Sequence, residues 1–227
     1  DCIWLPGAVR TNLKVFDRST ARITEINEPG EQIPEEALER MVQKVREYAE
    51  ICDTMVFTGS LPPGVPADFY RTLIEATAGR CRCVLDADGA PLREGLKERA
   101  WMLKPNRAEL EALTGRTLCD IPAVRDAARE LIAGGATVVA VSLGGDGAVI
   151  ADANEAFFAP PLKIEVRSTV GAGDAMVAAL TSGFAAGKGL EEAFRMGVAC
   201  ASARCATESY RVIDKTEYKR LLDQVKI

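Results

Sequence analysis

The stretch Val124-Arg125-Asp126-Ala127-Ala128-Arg129-Glu130-Leu131-Ile132-Ala133-Gly134-Gly135-Ala136-Thr137-Val138-Val139-Ala140-Val141-Ser142-Leu143-Gly144-Gly145 decides the fold class. Val124, Ala127, Ala128, Leu131 and Ile132 recur at helical spacing and give one side an apolar stripe. Gly134-Gly135 stops that helix. Thr137–Leu143 is then apolar and β-rich, the composition of a strand buried on both faces. A helix feeding such a strand is the repeating unit of a mainly parallel sheet covered by helices.

The same alternation extends outward in both directions. Toward the N-terminus lie a helix over 34–50, a strand over 54–57, a helix over 66–78, and strands over 82–86 and 101–103. A helix over 106–113 precedes the deciding stretch. After it come strands near 148–151 and 155–159, then helices over 172–186, 190–206 and 214–225. Two short strands open the chain, around Arg10–Val15 and Arg22–Ile26, with the polar turn Asp17-Arg18-Ser19-Thr20 between them. The expectation is a three-layer α/β/α domain preceded by a small hairpin.

Composition narrows the chemistry. The 227 residues contain no histidine, so this chain holds no Ser-His-Asp triad, Cys-His dyad or His-ligated zinc. Proton transfer falls to Asp, Glu, Lys, Tyr or Cys. The net charge of -5 gives no basic surplus for a nucleic-acid partner. No uncharged stretch reaches the ~20 residues of a membrane-spanning helix. The seven cysteines form no Cys-x-x-Cys pair and read as reduced thiols of a cytoplasmic protein.

Ligands of such sheets bind beyond the carboxyl ends of the strands. Four loops lie there: 58–64, 104–109, 142–147 and 167–174. In Ser168-Thr169-Val170-Gly171-Ala172-Gly173-Asp174, two glycines precede a helix. Free N–H groups at such a terminus bind anions. Asp174 is either a simple first-turn charge or a proton acceptor beside bound phosphate. Ser142-Leu143-Gly144-Gly145-Asp146-Gly147 is either a nucleotide cradle or a hairpin turn. Lys104-Pro105-Asn106-Arg107-Ala108-Glu109 is either a capping box or a site where Glu109 organises hydrated Mg²⁺. Asp86-Ala87-Asp88-Gly89 is a poor calcium loop, with its glycine too early and no closing Glu. A Walker A loop and a dinucleotide fingerprint are both excluded by spacing: Gly183–Gly189 is one residue short, and position 176 is Met.

Taken together, Gly59-Ser60-Leu61-Pro62-Pro63-Gly64, Lys104-Pro105-Asn106-x-x-Glu109, Ser142-Leu143-Gly144-x-x-Gly147 and Thr169-x-Gly171-Ala172-Gly173-Asp174 resemble the phosphofructokinase B (ribokinase-like) sugar kinase family. They occur in the family's order across nearly the whole chain. Gly7–Lys14 and Thr24–Gly30 resemble the branch containing 1-phosphofructokinase and tagatose-6-phosphate kinase.

The resemblance implies a ribokinase-like fold. Residues 1–28 would be part of a β lid, and 29–227 the nucleotide-binding kinase core without its N-terminal portion. It implies ATP and Mg²⁺ as cofactors, and phosphoryl transfer to a sugar phosphate, foremost fructose 1-phosphate to fructose 1,6-bisphosphate. Asp174 would be the base, and Gly171, Ala172 and Gly173 the anion hole. Lys104, Asn106, Ser142, Gly144, Gly147 and Thr169 would meet the nucleotide. Asn106 and Glu109 would organise the metal, and Arg10 and Ser60 would hold the phosphate already on the sugar. A homodimer through the lid is implied as well. Three departures stand out. A preceding segment with a sugar-gripping Asp and a Gly-Gly-x-x-x-Asn stretch is absent from the 227 residues. Ser168 stands where Asp is common. Cys200 and Ser209-Tyr210 stand near the expected adenine pocket. Two alternatives remain: a kinase for tagatose 6-phosphate or another sugar or nucleoside, and a non-catalytic nucleotide-binding module.

Overall fold

The computed structural model describes every residue except Arg18, Ser19, Ala21, Ser209 and Tyr210. Part of the expected hairpin turn and the Ser209-Tyr210 departure therefore lie outside the described residues. Strands β1 (Asn12–Asp17) and β2 (Arg22–Asn27) pair antiparallel and form a separate two-stranded sheet. Helix α1 (Glu35–Ala49) follows. The central elements then alternate as β3 (Thr54–Thr58), α2 (Phe69–Ala76), β4 (Arg82–Asp86), α3 (Gly89–Leu96), β5 (Met102–Leu103), α4 (Arg107–Thr114), α5 (Ile121–Ala133) and β6 (Val138–Ser142). The remainder is β7 (Ala148–Ala151), β8 (Ala156–Ala159), α6 (Ala172–Ala185), α7 (Leu190–Cys205) and α8 (Lys215–Leu222).

The six-stranded sheet has the order β3-β4-β5-β6-β7-β8. β3 to β6 are parallel, and β7 runs antiparallel to both its neighbours. Alternation along each strand fills two cores. Leu85, Leu103, Val139 and Val141 face one layer, with Leu73, Leu92, Leu110, Val124 and Leu131. Val84, Met102, Val138 and Ala140 face the other, with Met176, Leu180, Phe194 and Val198 from α6 and α7. Both sides of these strands are dry, which is why the sequence shows unbroken apolar runs there. The fold is the expected three-layer, mainly parallel α/β/α architecture with a small additional sheet.

One helix was not expected. The segment of α3, Gly89-Ala90-Pro91-Leu92-Arg93-Glu94-Gly95-Leu96, contains two glycines and a proline. Pro91 lies in the first turn, where no N–H is missed. A Cβ at Gly95 would collide with Leu85, so helix and strand touch through this glycine. Packing overrides poor helix propensity here. The glycine turn after β6 is a short 3-10 turn, Gly144–Asp146, joining two antiparallel strands. Locally it is therefore a hairpin. Gly147 belongs to that packing, since a Cβ there would collide with the Ala159 carbonyl oxygen.

Candidate active site

The parallel strands end side by side, and their following loops are laced together. The Gly59 N–H donates to the Asp86 carbonyl (3.1 Å), Lys104 N–H to that of Leu85 (3.2 Å), and Ser142 N–H to that of Pro105 (3.1 Å). Asn106 and Ser142 also form a parallel bridge. Lys104, Asn106, Glu109 and Ser142 are thus held at one end of the sheet.

Lys104 is buried, with 5% exposure, and pairs with Asp86 at 3.1 Å. The cation is led by this pair to the start of α6. A Cβ at Gly173 would lie 3.3 Å from Lys104 Nζ and 3.8 Å from Asp86 Oδ2. A side chain at this position would press on the Lys104 ammonium and require it to give by a few tenths of an ångström. Gly171 adopts φ 76°, in the left-handed region, and caps α6. Its carbonyl accepts from Ala175 N–H at 2.9 Å. First-turn N–H groups of a helix lack the i−4 carbonyl partner of later turns. Those of α6 lie beside Lys104, which puts backbone donors and a cation next to each other at the start of this helix. The Ala172 N–H among them already donates to the Thr169 carbonyl at 3.3 Å, which ties Thr169 to this turn. Asp174 is exposed on that turn and adds to the negative field at Asp86.

Asp86 was passed over as part of a weak calcium motif, and the structure makes it a member of the site. Burial raises its pKa above the ordinary carboxylate value; Lys104 opposes this, while Asp174 and Asp88 reinforce it. Its only sequence signal was its place at the end of a buried strand. Tyr70 supports the same region from below, its hydroxyl donating to the Thr58 (2.8 Å) and Gly59 (2.9 Å) carbonyls. Burial, with Asp86 and Asp88 nearby, pushes that phenol up to about 12.

Asn106 and Glu109 do form the capping box. Asn106 Oδ1 accepts from Glu109 N–H (2.9 Å), and Glu109 Oε2 accepts from Asn106 N–H (2.8 Å). Burial raises the Glu109 pKa, offset by the Asn106 N–H and Lys104. Among the described residues no three His, Cys, Asp or Glu side chains surround one point. Asn106 and Glu109 place two oxygen donors side by side, a set that could hold a hydrated Mg²⁺ through water but is no all-protein cage. In the glycine turn, Asp146 pairs with Arg107 at 2.9 Å, tying Gly144–Gly147 to the Asn106 loop.

The second expected cluster also assembles. Arg10 donates to Ser60 Oγ at 2.7 Å. Ile33 N–H donates to the Pro63 carbonyl at 2.9 Å, so the chain leaving β2 is fastened to the loop after β3. Among the described residues, no helix is long and apolar enough to cross a membrane.

A sequence profile described as pfkB family carbohydrate kinase matches residues 3–215. The chain belongs to the pfkB family of carbohydrate kinases. It is 42% identical over 200 residues to the 1-phosphofructokinase of Rhodobacter capsulatus, covering 87% of this chain and 63% of that one. It is 38% identical over 186 residues to that of Xanthomonas campestris, covering 80% of this chain and 58% of the relative. The chain thus spans about three fifths of the length of these two pfkB relatives. Phosphofructokinase-2 from Escherichia coli, solved with substrates and products, superposes with a TM-score of 0.85 at 32% identity, covering 94% of this chain and 70% of that one.

Proposed function

We propose that this chain is an ATP-dependent sugar-phosphate kinase, with fructose 1-phosphate as acceptor and fructose 1,6-bisphosphate as product. The reading is carried by the Lys104–Asp86 pair packed against Gly173, with Asp174 on the same helical turn. Phosphoryl transfer needs alignment and charge stabilisation more than covalent chemistry. The N–H groups from Gly171 to Gly173 and the Lys104 ammonium stabilise negative charge on the phosphoryl oxygens. Asp174 accepts the proton of the attacking hydroxyl, a role open to a carboxylate in a chain without imidazole. Ser142, Gly144, Gly147 and Thr169 line the nucleotide side. Asn106 and Glu109 orient metal-bound water, and Mg²⁺ when bound neutralises phosphate charge. Arg10, with Ser60, pairs with the phosphate already on the sugar.

The choice of acceptor follows the names of the two bacterial relatives and the Arg10–Ser60 cluster. Coupled ADP release is measured with fructose 1-phosphate, fructose 6-phosphate, tagatose 6-phosphate and fructose. Preference for fructose 1-phosphate, lost in Arg10→Ala, is expected. Equal turnover of unphosphorylated fructose would refute the acceptor assignment. Binding of ATP without ADP release on any acceptor would make the chain a nucleotide-binding module instead.

The two-stranded sheet is proposed as a lid that also pairs two copies. Leu13, Val15 and Ile26 are 52%, 47% and 56% exposed. Leu13 opposes Ile26 and Val15 opposes Thr24, which puts these apolar groups on one face.

A further inference from the structure

Arg204, in the last turn of α7, has a bonding pattern that a surface arginine does not need. Its guanidinium donates to three backbone carbonyls: Glu208 at 2.6 Å, Arg211 at 2.7 Å and Thr207 at 3.0 Å. Its Nε is buried without an acceptor among the described residues. The planar fork of Arg holds five donors in fixed directions, which the compact ammonium of Lys on its flexible stem does not reproduce. The stem of the same residue reaches the anion hole. Its Cδ lies 3.8 Å from where a Cβ of Gly171 would stand.

The next residue makes the second tie. The Cys205 carbonyl accepts from the N–H groups of Arg167 (2.8 Å) and Ser168 (3.2 Å), where the anion-hole loop begins. Glu208 then bridges Arg167 (3.2 Å) and Arg211 (3.0 Å) by ion pairs. Thr207, Glu208, Arg211 and Arg167 also line an open cavity of about 580 Å³. One end of α7 thus fixes both this cavity wall and the loop that carries Gly171–Asp174.

We propose that Arg204 is a positioning residue for phosphoryl transfer: its guanidinium, set against three carbonyls, braces Thr207, Glu208 and Arg211 while its stem braces the Gly171 turn. The proposal rests on the kinase reading above. Arg204 touches no reacting atom. It keeps the N–H groups of the anion hole at the distance the transferring phosphoryl group requires.

The test compares the wild-type chain with Arg204→Ala and Arg204→Lys by coupled ADP release with ATP and fructose 1-phosphate. Arg204→Ala is expected to lower kcat by roughly 10²-fold, as small misplacements of aligned groups do. KM for the sugar phosphate stays unchanged, because Arg10 and Ser60 lie on other elements. Added guanidinium ion at millimolar concentration recovers part of kcat. A loss that guanidinium does not recover, or one confined to KM, overturns the proposal. Should Arg204→Ala fail to fold, Arg204→Lys decides: reduced kcat with unchanged Tm supports the brace, and wild-type kcat overturns it. Should the wild-type chain release no ADP, the kinase reading fails and amide hydrogen exchange judges the brace. Faster exchange confined to 167–174 and to Thr207, Glu208 and Arg211 in the variant supports it, and unchanged exchange there overturns it.

Discussion

Asp174 and Lys104 do different work, and substitution separates them. Asp174→Asn keeps the side-chain shape and removes the proton acceptor. Its kcat is expected to fall by about 10²- to 10⁴-fold, the usual contribution of a positioned base. ATP binding by calorimetric titration should hardly change, and a near-normal kcat would remove Asp174 from that role. Lys104 is a structural group as well as an electrostatic one. Its side chain is 6% exposed and that of Asp86 15%. Lys104→Met leaves the Asp86 charge buried without its partner, which costs about 3 kcal/mol. Groups in direct contact are not additive. The Lys104→Met/Asp86→Asn pair should therefore lose less stability in urea than the sum of the single variants, and additive losses would contradict the coupling. The places of Asp174 in the first turn of α6 and of Lys104 just after β5 were legible in sequence, because each sits inside a recognisable loop motif. Asp86 was not, because its partner lies on the neighbouring strand, and pairing of that kind is set by sheet register.

At the scale of elements, the loop from Lys104 to Glu109 joins strand β5 to helix α4 and carries a pH signature. Glu109 and Asp86 both bind protons more readily when folded than ordinary carboxyls do, because burial disfavours their charge. The folded state then holds more protons than the unfolded chain just above the ordinary carboxylate range. Stability from these two groups is fully present below that range and is lost as pH rises through their folded values. On the proposed kinase reading, activity would run the other way, since the ionised forms would attract the metal and balance Lys104. The acid limb of kcat/KM should therefore lie above the ordinary carboxylate range. Glu109→Gln should simplify that limb and raise the Mg²⁺ concentration needed for half-maximal rate. An unchanged metal titration would return Glu109 to helix capping alone. The capping box itself was readable from Asn106 and Glu109, three residues apart, since both of its bonds are local. Helix α3 was not readable, because Gly95 is there for contact with Leu85 rather than for local preference. The Ser142–Gly147 loop kept two readings in sequence because a glycine turn and a glycine cradle share one composition. Antiparallel β7 identifies the turn, and the cradle remains a proposal for the same backbone.

For the whole molecule, the two-stranded sheet is the element with the least internal support. An isolated pair of strands is marginal in water. Strand β1 is tied at its base by the Glu28 carboxylate, which accepts from Thr11 N–H at 2.7 Å. Arg10 and Ile33 fasten the flanking segments to the loop after β3. Nothing among the described residues covers Leu13, Val15 and Ile26. A second copy offers an identical face, and a two-fold axis would lay Leu13 and Ile26 of one copy against the same set of the other. Burying that face shields three apolar side chains, each worth about 1.5–3 kcal/mol when fully removed from water. Light scattering after size exclusion is therefore expected to give twice the chain mass. Leu13→Asp should convert the protein to monomer. The far-UV spectrum and core unfolding should stay unchanged, because Leu13 touches neither core of the central sheet. If the sheet acts as the proposed lid, the substitution should also raise KM for the sugar phosphate, because a loosened sheet would no longer hold Arg10 against Ser60. A monomeric wild-type chain, or a Leu13→Asp variant that remains dimeric, would place the contact between copies elsewhere.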